Sequence, residues 1–360
     1  MTLALCMIVK NEEDVLARCL DSVAGIFDEL VLVDTGSEDA TKEIAARHGA
    51  RVYDFAWRDD FAAARNFAFS KASADYLMWL DADDVLKEEA RAALLRLKAE
   101  LDGSVDAYFL RYEAEDGEGN TALTFWRERI VRRACGFVWQ GAVHETLCVC
   151  GRVRRLDIAV THRRGERKET GRNLRIYLRM LLAGRTPRGR EAFYFARELC
   201  DNGLCTLAAD AYAFFLQGEG WAEDKICACR DLAAIFRKAG DPERRRAALL
   251  QSFRYGEPRP AVCCDLGELF LEEGDAQTAV FWFKLALNEG ERERNEGFVC
   301  PDHSGYLPCI WLCVCYDRLG QPERAREWNE RAGRYKPHDK SYLYNKKYFE
   351  SVFTDKGKKT

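Results

Sequence analysis

Over the N-terminal third of the chain, short apolar runs alternate with amphipathic segments of helix length. Leu3–Val9, Leu30–Val33, Arg51–Phe55 and Tyr76–Leu80 read as buried strands. Helices are expected between and after them, from Glu12 to Val23, from a cap at Ser37 to a left-handed stop at Gly49, near Phe61–Ser70 and over Lys87–Leu101. This βαβ order predicts a mainly parallel sheet with ligands gathered at the strand C-termini. From Asp106 to about Thr161 the period changes. Tyr108–Tyr112 and Thr121–Trp126 alternate as antiparallel strands do, around the Gly-rich turn Asp116–Asn120.

From about residue 190 the chain becomes helical and repeats itself. Turns at Gly240, Gly274 and Gly320 lie 34 and 46 residues apart, one tetratricopeptide period and then one period plus an insertion. Leu266, Gly267, Phe270, Ala279, Phe283 and Ala286 supply the small and large positions such hairpins need, and a degenerate earlier copy turns at Gly203. In this register Cys229, Cys263 and Cys309 fall at one equivalent core position, which reads them as small apolar fillers rather than zinc ligands. Stacked repeats leave a concave surface, so this half is expected to bind a peptide, a protein or a second copy of the chain as a homodimer, or to buttress the first half.

The 360 residues are enough for about two domains, and 48% apolar content supports a full core. Fifteen cysteines read as reduced thiols, because Met1–Ala4 runs straight into a strand without a signal sequence. No apolar run approaches the roughly 18 residues of a membrane span. A cytoplasmic protein is expected. The net charge of −4 hides one uneven stretch: Arg152–Arg190 carries 13 Lys/Arg against three acids, an excess of +10. Such a stretch can attract a sugar diphosphate or an acidic membrane, which would place the protein peripherally at the inner membrane face.

Four segments converge at the predicted strand ends: Lys10-Asn11-Glu12-Glu13, Asp34-Thr35-Gly36-Ser37, Arg65-Asn66 and Asp81-Ala82-Asp83-Asp84. Clustered carboxylates at a strand end suit Mg²⁺ or Mn²⁺. Acids and amides such as Asn11, Glu12 and Asp34, with the ammonium of Lys10 beside them, can read a nucleobase and ribose. No G-x-G-x-x-G or Walker loop is present, so a metal must neutralise any diphosphate, which favours a sugar nucleotide over a dinucleotide or ATP. Asp84 reads as a cap for the following helix.

The blocks V-K-N-E-E, V-D-T-G-S-E-D-A-T, D-F-A-A-A-R-N and W-L-D-A-D-D together resemble the family 2 glycosyltransferases of the GT-A fold, over about residues 3 to 165. Val138–Glu145, Thr161–Gly165 and Arg172-Asn173 are similar to a subgroup with helical repeats behind the catalytic domain. That subgroup includes bacteriocin peptide S-glycosyltransferases and enzymes like those of lipopolysaccharide core assembly. The resemblance implies an α/β GT-A domain (residues 1–165), a basic helical linker (166–190), an all-α tetratricopeptide-like domain (191–345) and a basic tail (346–360). It implies that Asp34 and Arg65 contact the nucleotide, Asp81 the ribose or the metal, and Asp83 and His162 the metal. Glu145 is the expected general base, with His144 its competitor. Thr35 departs from the family pattern, in which a second acid often stands there.

The expected activity is metal-dependent and inverting, moving a hexose or N-acetylhexosamine from a UDP-sugar to a peptide, lipid-linked or glycan acceptor. No nucleic-acid partner is expected. The alternative is a repeat scaffold that binds a protein partner and carries a degenerate transferase domain.

Overall fold

The computed structural model describes residues 1–116, 119, 121–163, 171–290 and 297–356. The centre of the expected Gly-rich turn, the basic residues 164–170 with the domain boundary at 165, and the tip of the tail at 357–360 lie outside the described residues. The chain forms two compact units, Met1–Pro187 and Arg188–Thr360.

The first unit is built on an eight-stranded sheet of order β3-β2-β1-β4-β7-β6-β10-β5. Its strands are β1 (Leu3–Val9), β2 (Glu29–Asp34), β3 (Arg51–Asp54), β4 (Tyr76–Trp79), β5 (Asp84–Val85), β6 (Ala107–Glu115), β7 (Thr121–Arg132) and β10 (Val153–His162); β8 (Trp139–Gln140) and β9 (Thr146–Leu147) form a separate ribbon. β3, β2, β1 and β4 run parallel, β7 is antiparallel to both β4 and β6, and β10 is parallel to β6.

The helices are α1 (Leu16–Ser22), α2 (Thr41–Arg47), α3 (Phe61–Lys71), α4 (Glu88–Glu100) and α5 (Arg172–Leu182). Alternation along β1 explains the layering. Leu3, Leu5 and Met7 pack with Leu16 and Leu20 of α1, Ile44 of α2 and Leu94 of α4 on one face. Ala4 and Cys6 join Val31, Leu77, Trp79 and the α3 alanines on the other. The sheet is therefore buried on both sides, as its near-continuous apolar strands require.

Two helices start later than their sequence pattern implies. α1 begins at Leu16 rather than Glu12, and α2 at Thr41, so Ser37 is no cap. The skipped residues serve as loop fasteners. Ser37 Oγ accepts the Asn11 N–H (2.9 Å), Asn11 Oδ1 accepts the Glu38 N–H (2.8 Å), and Thr41 Oγ1 accepts the Glu12 N–H (2.8 Å). Side-chain hydrogen bonds to nearby backbone outcompete a longer helix here. α3 behaves as expected, with Asp60 as its N-cap accepting the Ala63 N–H at 2.9 Å.

The second unit comprises α6 (Arg190–Asp201), α7 (Cys205–Gln217), α8 (Ala222–Lys238), α9 (Pro242–Gln251), α10 (Pro260–Glu272), α11 (Ala276–Gly290), α12 (Tyr306–Arg318), α13 (Pro322–Tyr335) and α14 (Lys340–Lys356). Gly203, Gly240, Gly274 and Gly320 each adopt positive φ at the turn between paired helices, a conformation that glycine reaches without strain. Gly267 lets α10 approach the Phe283 ring of α11 so closely that an added Cβ would lie 2.7 Å from it. Cys229, Cys263 and Cys309 are fully buried on α8, α10 and α12. Because Phe283 is fully buried, Phe283→Ala should cost about 3–5 kcal/mol, read as a lower urea midpoint at unchanged slope.

Candidate active site

The C-terminal ends of β1, β2 and β4 open into a cleft of about 540 Å³ in the first unit. Of the residues singled out in the sequence, Lys10, Glu12, Arg65, Asp81, Asp83, His144, Glu145 and His162 line it. Asp34 and Asn11 do not. Asp34 is buried, and its carboxylate accepts the N–H groups of Gly36 and Ser37, each at 3.0 Å to Oδ2, so it shapes the β2 loop rather than facing the cleft. Asn11 is committed to the same loop. Thr35 does reach the cleft wall.

Arg65 is the centre of the cleft floor. Its position one turn into α3 places the guanidinium against the rings of both Trp79 (4.7 Å) and Trp139 (5.0 Å), which also pack edge-to-face on each other. From there Nε donates to Glu145 Oε1 (2.5 Å) and Nη2 to Asp81 Oδ1 (2.7 Å). Burial alone would lower the Arg65 pKa, but the two carboxylates outweigh it and hold it above its ordinary value. Asp81 shows the reciprocal balance: burial raises its pKa, while Arg65, and then Arg129 and Arg127, overcome this and hold the carboxyl below the ordinary range. Asp81, expected on the ribose or the metal, is thus drawn onto Arg65.

The neighbouring Asn66 completes the arrangement. Its side-chain amide donates to Trp139 O (3.0 Å) and accepts the Trp139 N–H (2.9 Å), pinning β8 to α3. Phe61 N–H adds a bond to Ala142 O at 2.9 Å. The turn that follows carries His144, at φ 51°, and Glu145 into the cleft.

Asp83, Asp84 and His162 form a second constellation. The short β5 pairs antiparallel with the end of β10, so that His162 lies opposite Asp84. His162 Nδ1 is 3.4 Å from Asp83 Oδ1 and 3.7 Å from Asp84 Oδ1. Asp84 is fully buried and caps no helix; its Oδ2 binds Arg129 Nη2 (3.0 Å) and accepts the Asp81 N–H (3.1 Å). Both Asp84 Oδ1 and His162 Nδ1 are buried without a hydrogen-bond partner. One ligand atom from each of the three residues lies within 4.8 Å of the others. Two hard carboxylates and an imidazole aimed at one point, with unsatisfied lone pairs, fit a divalent cation.

Several lining residues were not picked out from the sequence as contributors. Arg127, and Arg129 behind the cleft, come from β7, whose alternation signalled only a strand. Arg175 and Arg179 come from α5 together with the family-block residues Arg172 and Asn173, and Trp57 and Asp59 from the loop before α3. The i, i+3, i+7 spacing of Arg172, Arg175 and Arg179 was the available signal for α5.

Glu12 faces Asp83 and Asp81; burial, and then these two carboxylates, push its pKa up to about 7. His162 is pushed up to about 10 from 6.5, chiefly by its contacts with Asp83 and Asp84, despite burial. A raised histidine pKa contributes stability that is present below about pH 6.5 and lost as pH rises through about 10. Metal-free protein should therefore lose stability over that window, and Asp83→Asn should flatten the loss, as followed by thermal denaturation at stepped pH. Because a cation must displace the His162 proton, Mn²⁺ binding near neutral pH should release protons and tighten as pH rises. Calorimetry in buffers of different ionisation enthalpy measures both effects.

The family profile described as glycosyl transferase family 2 matches residues 4–175. A protein of Synechococcus elongatus named as a TPR repeat-containing protein is 31% identical over 79% of this chain and 66% of its own length. The SPbeta prophage-derived glycosyltransferase SunS of Bacillus subtilis is 29% identical over 40% of this chain and 34% of its own length. The chain thus spans just under two thirds of the first of these relatives and about a third of the second. Among solved structures, glucosyl-3-phosphoglycerate synthase from Mycobacterium tuberculosis, in complex with Mn²⁺ and UDP-glucose, aligns at a TM-score of 0.36 and 15% identity over 52% of this chain and 81% of its own. The sheet order, parallel at β3-β2-β1-β4 and then mixed, is that of a GT-A domain, and the helical unit follows it. Residues 4–175 of this chain belong to glycosyl transferase family 2.

Proposed function

We propose that the chain is a metal-dependent, inverting glycosyltransferase that uses a UDP-sugar donor. The observation that carries this reading is the meeting of Asp83 and His162, with buried Asp84 behind them, in one cleft with an Arg65-held Glu145. Asp83 and His162, backed by Asp84, would hold Mg²⁺ or Mn²⁺, which when bound supplies charge neutralisation for a diphosphate leaving group.

The residues of the chain divide the remaining work. Lys10, Glu12 and Thr35 form the wall against which the nucleoside would lie, and Asp81 is fixed by Arg65 at the ribose side. Arg127, Arg172 and Arg175 add positive charge around the diphosphate. Glu145 acts as general base. It takes the proton from the acceptor hydroxyl or thiol as that atom bonds to the anomeric carbon, and the bond from that carbon to the phosphate oxygen breaks, releasing UDP. Arg65 orients the Glu145 carboxylate through its Nε–H, while its Nη2 holds Asp81. A peptide, a glycan or a lipid-linked sugar can present such an acceptor atom, and the helical unit would hold part of it. The buried arginines that keep Asp81, Glu145 and Asp84 in place weigh against a degenerate, purely scaffolding domain.

In a thermal-shift screen, UDP with Mn²⁺ should stabilise the protein more than UDP alone or other nucleoside diphosphates. Ligand at 100 times its Kd gives about 2.7 kcal/mol. Loss of that preference with Asp83→Ala supports the assignment, and an unchanged shift would overturn it. Glu145→Gln should lower UDP-sugar turnover by about 10²–10⁴-fold while the UDP-Mn²⁺ shift persists.

A further inference from the structure

The α5 helix has two exposed faces of different chemistry side by side. Its buried side consists of Leu174, Ile176 and Tyr177. Arg172, Arg175 and Arg179, at i, i+3 and i+7, form a stripe along the wall of the cleft. Next to that stripe, Leu178, Leu181 and Leu182 are 43%, 36% and 88% exposed. Helical spacing spreads these leucines over about 100° of the helix circumference, centred roughly 100° around the axis from the arginines. Leucines on a soluble helix normally turn inward, so a contiguous exposed strip signals contact with something apolar.

The charge around this strip names the partner. From Gly171 to Arg190 there are six arginines and no acid. Asp59 meets Arg179 from the loop before α3, and Asp224 meets Arg190 within the second unit. Arg185 is exposed and follows directly after the leucines in the same unit. An apolar strip bordered by arginines, without interspersed acids, is complementary to an anionic bilayer: the leucines enter the acyl boundary and the guanidinium groups meet headgroup phosphates. No helix among the described residues is long and apolar enough to cross a membrane, so this contact would lie on the surface of the bilayer.

We propose that the exposed face of α5 seats the first unit on an anionic membrane surface, with the cleft opening beside it. This inference rests on the proposed transfer reaction for its purpose, which is to present a lipid-linked acceptor to Glu145 along the arginine stripe. The contact itself is independent of donor chemistry. Leu182 belongs to neither the metal site nor the nucleotide wall, and its side chain is nearly fully exposed, so changing it leaves the fold intact.

The test is co-sedimentation of the full chain with phosphatidylcholine vesicles, with and without 30% phosphatidylglycerol, across a salt series. UDP-sugar hydrolysis with Mn²⁺ is measured on the same samples. Binding should require phosphatidylglycerol and weaken with salt. It should fall tenfold or more in Leu178→Glu/Leu182→Glu and several-fold in Arg185→Glu, with hydrolysis in the absence of vesicles unchanged. Equal binding to neutral vesicles, no binding at all, or full binding by the leucine variant each overturns the proposal. So does concentration-dependent self-association that the leucine variant abolishes without any vesicle binding, which assigns the strip to a second copy instead. Vesicle binding without sugar-nucleotide turnover keeps the surface and removes the transferase reading; turnover without vesicle binding does the reverse.

Discussion

Everything at the cleft depends on guanidinium groups buried around a single indole. Trp79, at the end of the central strand β4, has Arg65, Arg127 and Arg129 over its ring at 4.7, 4.8 and 3.8 Å. Each such contact contributes about 0.5–2 kcal/mol, well short of the cost of removing a charged group from water. The deficit is made up by carboxylates: Asp81 and Glu145 on Arg65, Asp84 on Arg129, and Glu128 beside Arg127 at 3.5 Å. Asp81, Glu145 and Asp84 are therefore placed by buried arginines, and the arginines by the tryptophan. Removing one partner leaves an uncompensated charge in the core, which typically costs 3–5 kcal/mol.

This dependence explains what was legible in the sequence. Strands β1 to β4, β6 and the first half of β7, the helical repeats and the acids after β4 could be read, because apolar period and acid clustering are local signals; β5, β8, β9 and β10 were not. Arg127 and Arg129 could not. They sit on β7 at alternate positions of an ordinary strand, and only the pairing of β7 with β4 brings them under the acids. The placement of Glu145 was legible by resemblance, but its bond to a residue 80 positions away was not.

The loops over the sheet tell a similar story in the other direction. Asn11, Asp34 and Ser37 have residue types that bind nucleotides readily, and their motif makes them look like contacts. Their side-chain oxygens accept backbone N–H groups of the two loops, Ser37 Oγ from Asn11, Asp34 Oδ2 from Gly36 and Asn11 Oδ1 from Glu38. Short polar side chains satisfy nearby N–H groups before they satisfy a ligand, and a sequence does not show which demand comes first. Lys10, Glu12 and Thr35, interleaved with them, are the ones left facing inward.

The register of β10 has an effect out of proportion to its size. Its pairing with β6 skips between Leu156 and Ala159, and only beyond that irregularity does the strand reach β5 with His162 opposite Asp84. Side chains on a strand alternate between faces, and because the irregularity adds two residues, Asp157 and Ile158, the alternation beyond it stays in step. A single-residue insertion or deletion between 157 and 161 would turn the imidazole to the far face and leave Asp83 and Asp84 without their third partner, with every site residue still present in the sequence. In this domain, chain length over five positions is as much a determinant of chemistry as the identity of any ligand.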